Sequence, residues 1–144
     1  MQIREDVCWG EPQGGLMLGL WAAGAVVEFY LKNVGADALD VLSHVSADID
    51  HLDWYELKMV NEAREERVLR FIDDRDKAGS VKVHLPPGEA IKHSVNLRKW
   101  AKRPINGEEN LTAGEYELWA SYEVTTRDDN WTGHLNAGPV TTTI

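Results

Sequence analysis

From Glu115 to Val124 the chain alternates apolar and polar residues at almost every step. Tyr116, Leu118, Ala120, Tyr122 and Val124 share one side, and Glu115, Glu117, Trp119, Ser121 and Glu123 share the other. Successive side chains of a strand point to opposite faces, so this period of two predicts a strand with one buried face and one mostly acidic face. The same period recurs along the chain. Leu16, Leu18 and Leu20 alternate with Met17, Gly19 and Trp21 and predict a first strand, with Ala22-Ala23-Gly24 as a short connection. Val27, Phe29 and Leu31 oppose Glu28, Tyr30 and Lys32, and turn chemistry follows at Asn33-Val34-Gly35-Ala36-Asp37. Leu39, Val41 and Val45 then oppose Asp40, Leu42 and His44, so these two runs are expected to fold as a hairpin across Asn33–Asp37.

Trp54 to Val60 reads as a further strand, with Glu66 to Ile72 as its hairpin partner across Asn61-Glu62-Ala63-Arg64. A short helix over 62–72 is the alternative, because Glu and Arg favour helices and the apolar positions fit either period. Val81, Val83 and Leu85 make a strand stopped by Pro86-Pro87-Gly88. Ile91, His93, Val95 and Leu97 make the next, with His84 expected to face outward and His93 inward. One helical turn is expected over 98–103. Val140, Thr142 and Ile144 close the chain as a last strand, after turn signals at Gly133 and Gly138-Pro139. Residues 1–14 read as an irregular arm anchored by Trp9, residues 46–53 as an acidic loop, and residues 61–79 as a charged hairpin or insertion. Many short strands separated by turns predict an all-β fold, an antiparallel β-sandwich in a single domain over residues 1–144.

The approach to the Glu115–Val124 strand is the most specific local signal. Leu111, Gly114 and Tyr116 have the spacing of a tyrosine corner, in which a tyrosine near the start of a late strand returns its hydroxyl to the preceding backbone. Leu118 stands where antibody domains carry a cysteine, which excludes the disulfide-bearing subtype. With these pieces placed, the chain resembles bacterial immunoglobulin/fibronectin-like accessory domains, and within them the group that includes the intracellular proteinase inhibitor of bacilli. Pro87, Gly88, Glu89, Trp100, Leu111, Gly114 and Tyr116 carry the likeness, over roughly residues 25–144. The resemblance implies an immunoglobulin-like sandwich and, as a functional expectation, proteinase inhibition. All of its matched positions build the fold.

Charge narrows the partner. Twenty-four acidic residues against fifteen basic ones give a net charge of −9. A nucleic-acid binder needs a basic surface to displace counterions, so that class is set aside. The acidity permits an immunity-type role against a basic protein. Arg98, Lys99, Lys102 and Arg103 form a small basic cluster, read as a local salt-bridged patch. Cys8 is the single cysteine, which fits a reducing compartment, and no leader or membrane-length apolar run is visible; a cytoplasmic location without membrane insertion is expected.

Candidate chemistry is sparse. His44, Asp48, Asp50, His51 and Asp53 cluster in sequence and are the residues to consider for a metal, but their spacing matches neither a zinc motif nor a calcium loop. No nucleophile motif or phosphate loop is found, so neither enzyme activity nor a cofactor is expected. Six tryptophans are many for 144 residues. Trp100, Trp119 and Trp131 are the candidate binding residues, since surface aromatics anchor sugars and protein partners. The expected role is a non-catalytic module that binds another protein, with a homodimer through the Trp119 face as one form of it. Proteinase inhibition, an immunity-type function and carbohydrate binding are the alternatives.

Overall fold

A computed structural model describes residues 3–44, 52–72 and 81–144. The described chain is mostly strand, and every strand pair is antiparallel. In chain order the strands are β1 (Cys8–Trp9), β2 (Leu16–Ala23), β3 (Val26–Asn33), β4 (Leu39–His44), β5 (Leu52–Asn61), β6 (Glu66–Phe71), β7 (Val81–Leu85) and β8 (Ala90–Asn96), then β9 (Glu115–Val124) and β10 (Gly133–Thr143). A short helix α1 (Leu97–Ala101) and a 3-10 turn (Pro104–Asn106) lie between β8 and β9. The first sheet has the order β1-β2-β3-β8, the second β10-β9-β5-β6, and β4 pairs with β7.

The two larger sheets meet through their apolar faces. Phe29 of β3 packs on Tyr55 of β5 at 5.2 Å between ring centroids and on Phe71 of β6 at 5.5 Å. Leu18, Leu20 and Val27 from the first sheet join Leu57, Leu118 and Tyr122 from the second in one core. β9 sits between β10 and β5, and its alternation is the one read from the sequence: Tyr116, Leu118, Ala120, Tyr122 and Val124 are buried. The β5–β6 hairpin also forms as expected, so the helix alternative over 62–72 is not adopted. The helical turn after β8 is present as α1, where the Asn96 side chain accepts from the N–H groups of Arg98 (3.0 Å) and Lys99 (3.3 Å) and caps the helix.

Several expectations are corrected. β3 and β4 do not form a hairpin: β3 lies between β2 and β8, and β4 pairs with β7. The buried Asn33 side chain explains the redirection. It donates to Asp37 O (2.8 Å) and Leu85 O (2.9 Å) and accepts from Gly35 N–H (3.0 Å), so the connection is fastened to the end of β7 instead of folding back on β3. The last strand begins at Gly133, not Val140, because the glycine and proline signals mark a register shift between Ala137 and Val140 rather than a turn. Strand β2 continues through Ala23, and the arm contains the short strand β1. Leu52 and Asp53 belong to β5, while most of the acidic loop and the segment after β6 fall outside the described residues.

The edge at β6 is finished by a side chain. Asn106 accepts from Arg70 N–H (2.8 Å) and donates to Arg70 O (2.8 Å) and Trp100 O (2.8 Å). Nearby, Arg67 Nη2 donates to the carbonyls of Ala101 (2.9 Å), Asn106 (3.0 Å) and Glu109 (2.9 Å).

Candidate functional site

Three places hold polar groups in an arrangement that bears on function. The first is the outer face of the first sheet. Residues 3–7 lie across it as a strap that runs into the edge strand β1. Val7 and Trp9 lie over Gly19, where an added Cβ would come within 2.6 Å of Val7 Cγ1 and 2.8 Å of the Trp9 ring. Beneath the strap Glu28 is only 4% exposed. Its carboxylate accepts from Arg4 Nε (2.7 Å) and the Tyr30 hydroxyl (2.7 Å), and Lys92 Nζ stands 3.7 Å away. Burial pushes the Glu28 carboxyl up, but the hydrogen bonds from Arg4 and Tyr30 and the charges of Lys92 and Arg4 outweigh it and hold the group below its ordinary value. Burial and the Glu28 hydrogen bond push the Tyr30 hydroxyl up to about 12. Arg4 also lies over the Trp21 ring, 3.7 Å from its centroid, and Trp21 Nε1 donates to Asp6 (3.1 Å).

The second place is the core. Ser43 Oγ is 2.7 Å from His93 Nε2 and 2.9 Å from the Tyr55 hydroxyl, and the Tyr122 hydroxyl donates to Leu42 O. A serine beside a histidine is the start of a nucleophile pair. Here Ser43 is fully buried and shared with Tyr55, so the pair ties β4, β5 and β8 together across the core. Burial pushes both the Tyr55 and Tyr122 hydroxyls far up, which keeps both phenols neutral.

The third place is the outer face of the second sheet. The register sets its rows. Trp119, Lys58 and Val68 lie in line across β9, β5 and β6; Asn136, Ser121, Glu56 and Arg70 form the next row from β10. Trp119 is 38% exposed and Val68 48%. Lys58 Nζ sits 5.5 Å from the centroid of the Trp119 ring. A cleft of about 380 Å³ opens between the arm (Gly10, Glu11, Gln13) and Trp119, His134 and Asn136. A second, of about 450 Å³, opens on the other side of Trp119 over Lys58, Val68 and Ser121. The arm approaches β10 so closely that a Cβ on Gly10 would overlap Asn136 O at 1.6 Å, which requires glycine there.

The sequence-predicted residues divide cleanly. Trp119 is at the surface. Trp100 is not: it is 0% exposed, on α1, with its ring 5.7 Å from Phe71 and Arg103 above it at 5.1 Å. Trp131 is also buried, 5.7 Å from Tyr122, with its Nε1 donating to Gln13 O (3.0 Å). Both rings seal the core and offer no binding surface. The Tyr116 hydroxyl donates to Thr112 O (2.8 Å), and Gly114 exchanges backbone hydrogen bonds with Ile144. Of the metal candidates, Asp48, Asp50 and His51 and the side chain of His44 lie outside the described residues, and Asp53 stands at the start of β5. His84 is exposed and bonds Asp40 (2.8 Å), while His93 faces inward, as read from the alternation.

The Glu28 cluster and the Ser43–His93 link were not singled out in the sequence. A signal for the first exists: a lone charge within Val26-Val27-Glu28-Phe29-Tyr30-Leu31 marks a strand covered on both faces. His134 and Asn136 pair in register with Glu123 and Ser121 and so line the clefts beside Trp119, a cross-strand placement that no local pattern encodes. No helix among the described residues is long and apolar enough to cross a membrane. No protein-family model matches the chain, and no curated protein matches it.

Proposed function

We propose that this chain is a non-catalytic binding module on an immunoglobulin-like antiparallel sandwich, and that it recognises its ligand through the outer face of the second sheet around Trp119. The carrying observation is that, of the six tryptophans, Trp119 is the exposed one, and it stands between two clefts on a central strand paired on both sides. An exposed indole on a rigid element costs little ordering on binding. The burial of Ser43 supports the non-catalytic reading, because no substrate reaches its hydroxyl.

The tyrosine corner is part of the same proposal. It is supported by the Tyr116 hydroxyl returning to the Thr112 carbonyl four residues upstream. Tyr116→Phe is expected to lower stability by about 0.5–1.5 kcal/mol, the worth of one such hydrogen bond, in urea denaturation. Trp100 and Tyr116 are buried, so the family resemblance speaks for the fold and leaves this face unassigned.

A protein partner is the second reading, favoured by Val68 lying exposed in the same row as Trp119. The test is capture from native lysate, proteins and glycans together, on the immobilised chain. Retention that disappears with Trp119→Ala is expected. Identical retention by the two proteins would dispose of the reading.

A further inference from the structure

The clefts on either side of Trp119 share Trp119, His134 and Asn136, so they are two ends of one trough. Each has a volume in the range of small-ligand sites. The trough crosses from β6 to β10, three interstrand spacings or about 14 Å, which suits a short row of rings better than one small molecule. It then meets the arm, which is fixed by Gly10 N–H donating to Leu18 O (2.9 Å) and by Gln13 paired with Leu16.

We propose that this trough binds a neutral oligosaccharide; the inference rests on the binding-module reading above and names its ligand. Three observations converge on that class. The first is the mixture of groups. One exposed indole lies among the amides of Asn136 and Gln13, the hydroxyl of Ser121 and the carboxylates of Glu11 and Glu56. A sugar hydroxyl both donates and accepts, so it needs neighbours of both kinds, and amides supply both. The apolar C–H face of a pyranose matches the flat face of an indole.

The second is charge. Arg70 Nε lies 3.5 Å from Glu56, His134 Nδ1 lies 3.4 Å from Glu123, and Lys58 lies over Trp119. Acidic Glu11, Glu56 and Glu123 are thus mixed with basic Lys58 and Arg70 across the trough and its rim. No strip of one sign remains along it to select an ionic ligand. The third is what the lining is not. Cores of protein–protein interfaces are depleted in Lys, Glu and Ser, and these residues line the trough beside its indole.

The test is titration of the intact chain with neutral gluco-, xylo- and manno-oligosaccharides, an anionic oligogalacturonate and a mixed hydrophobic peptide. Indole N–H resonances report which tryptophan responds. Saturable binding of a neutral oligosaccharide that moves the Trp119 signal is expected. Trp119→Ala should weaken it about tenfold or more, as for a central anchor, while Trp119→Phe retains part of it and Asn136→Ala weakens it less. Unchanged melting curves for these surface variants separate lost contact from lost fold. Response to the anionic sugar or the peptide alone overturns the proposal. If no sugar binds while a lysate protein is still captured through Trp119, the inference falls and the module reading stands. If neither occurs, both fall.

Discussion

On the outer face of the first sheet, Glu28 and Tyr30 lie under the Arg4 and Trp9 side chains of the N-terminal strap. On the outer face of the second, Glu117, Trp119 and Ser121 stand with no such strap across them. The two strands, β3 and β9, both alternate with a period of two, although the outer side of β3 carries a single acidic residue and that of β9 three. What differs further is what the rest of the chain does with the polar side. Over β3 the arm excludes water, and the buried carboxylate must then be matched by a guanidinium, a phenol and an ammonium group. Over β9 water remains, each charge needs only a neighbour, and an aromatic ring stays available. A covered face builds stability; an open one on an equally rigid strand is where recognition can be placed.

The comparison can be broken at several strengths. The largest effect is expected in the core that both faces share. Trp100→Ala removes a fully buried ring and should cost about 3–5 kcal/mol in urea unfolding. Next is the strap. Gly19→Val forces a side chain into Val7 and Trp9, and should cost about 1–3 kcal/mol. It should also raise hydrogen exchange in residues 3–10 while the second sheet keeps its protection. If exchange there is unchanged, the strap does not depend on that contact.

A smaller effect is expected from acid. Glu28 is held below its ordinary value of 4.5, so its contribution is present above that value and is lost as pH falls through the lower, folded one. The strap should therefore loosen in that window, and Glu28→Gln should flatten the dependence seen by proteolysis of the arm. Tyr30 acts at the other end of the scale. Its hydroxyl is raised from 10 to about 12, so its contribution is complete below pH 10 and is lost towards 12. The smallest effect belongs to the open face: Trp119→Ala should change stability by no more than about 0.5 kcal/mol. A loss near that of Trp100→Ala would place Trp119 among the structural rings and remove the comparison.

The alternation at 115–124 was enough to orient every side chain of β9, because a strand between two partners has one register available. The destination of β4 was not legible. Asn33 carries the turn chemistry of a hairpin, but its side chain bonds Leu85, fifty-two residues away, and no local pattern contains that partner. β10 was truncated in the reading for a similar reason: Gly138 and Pro139 break strands in most settings and here occupy a register shift. At the site, Trp119 was legible as a ring on a polar face. Trp100 and Trp131 were not separable from it, since a tryptophan in a turn or beside basic residues gives no sign of whether its ring turns in or out. The trough's other side comes from the arm, more than a hundred residues earlier in the chain.

Asn106 has a consequence for the life of this protein in concentrated solution. An edge strand offers unpaired N–H and C=O groups on which a neighbouring molecule can add a strand, the first step towards polymerisation. By placing its amide on both backbone groups of Arg70, Asn106 acts as a one-residue counterfeit of a further strand and denies that position to any other chain.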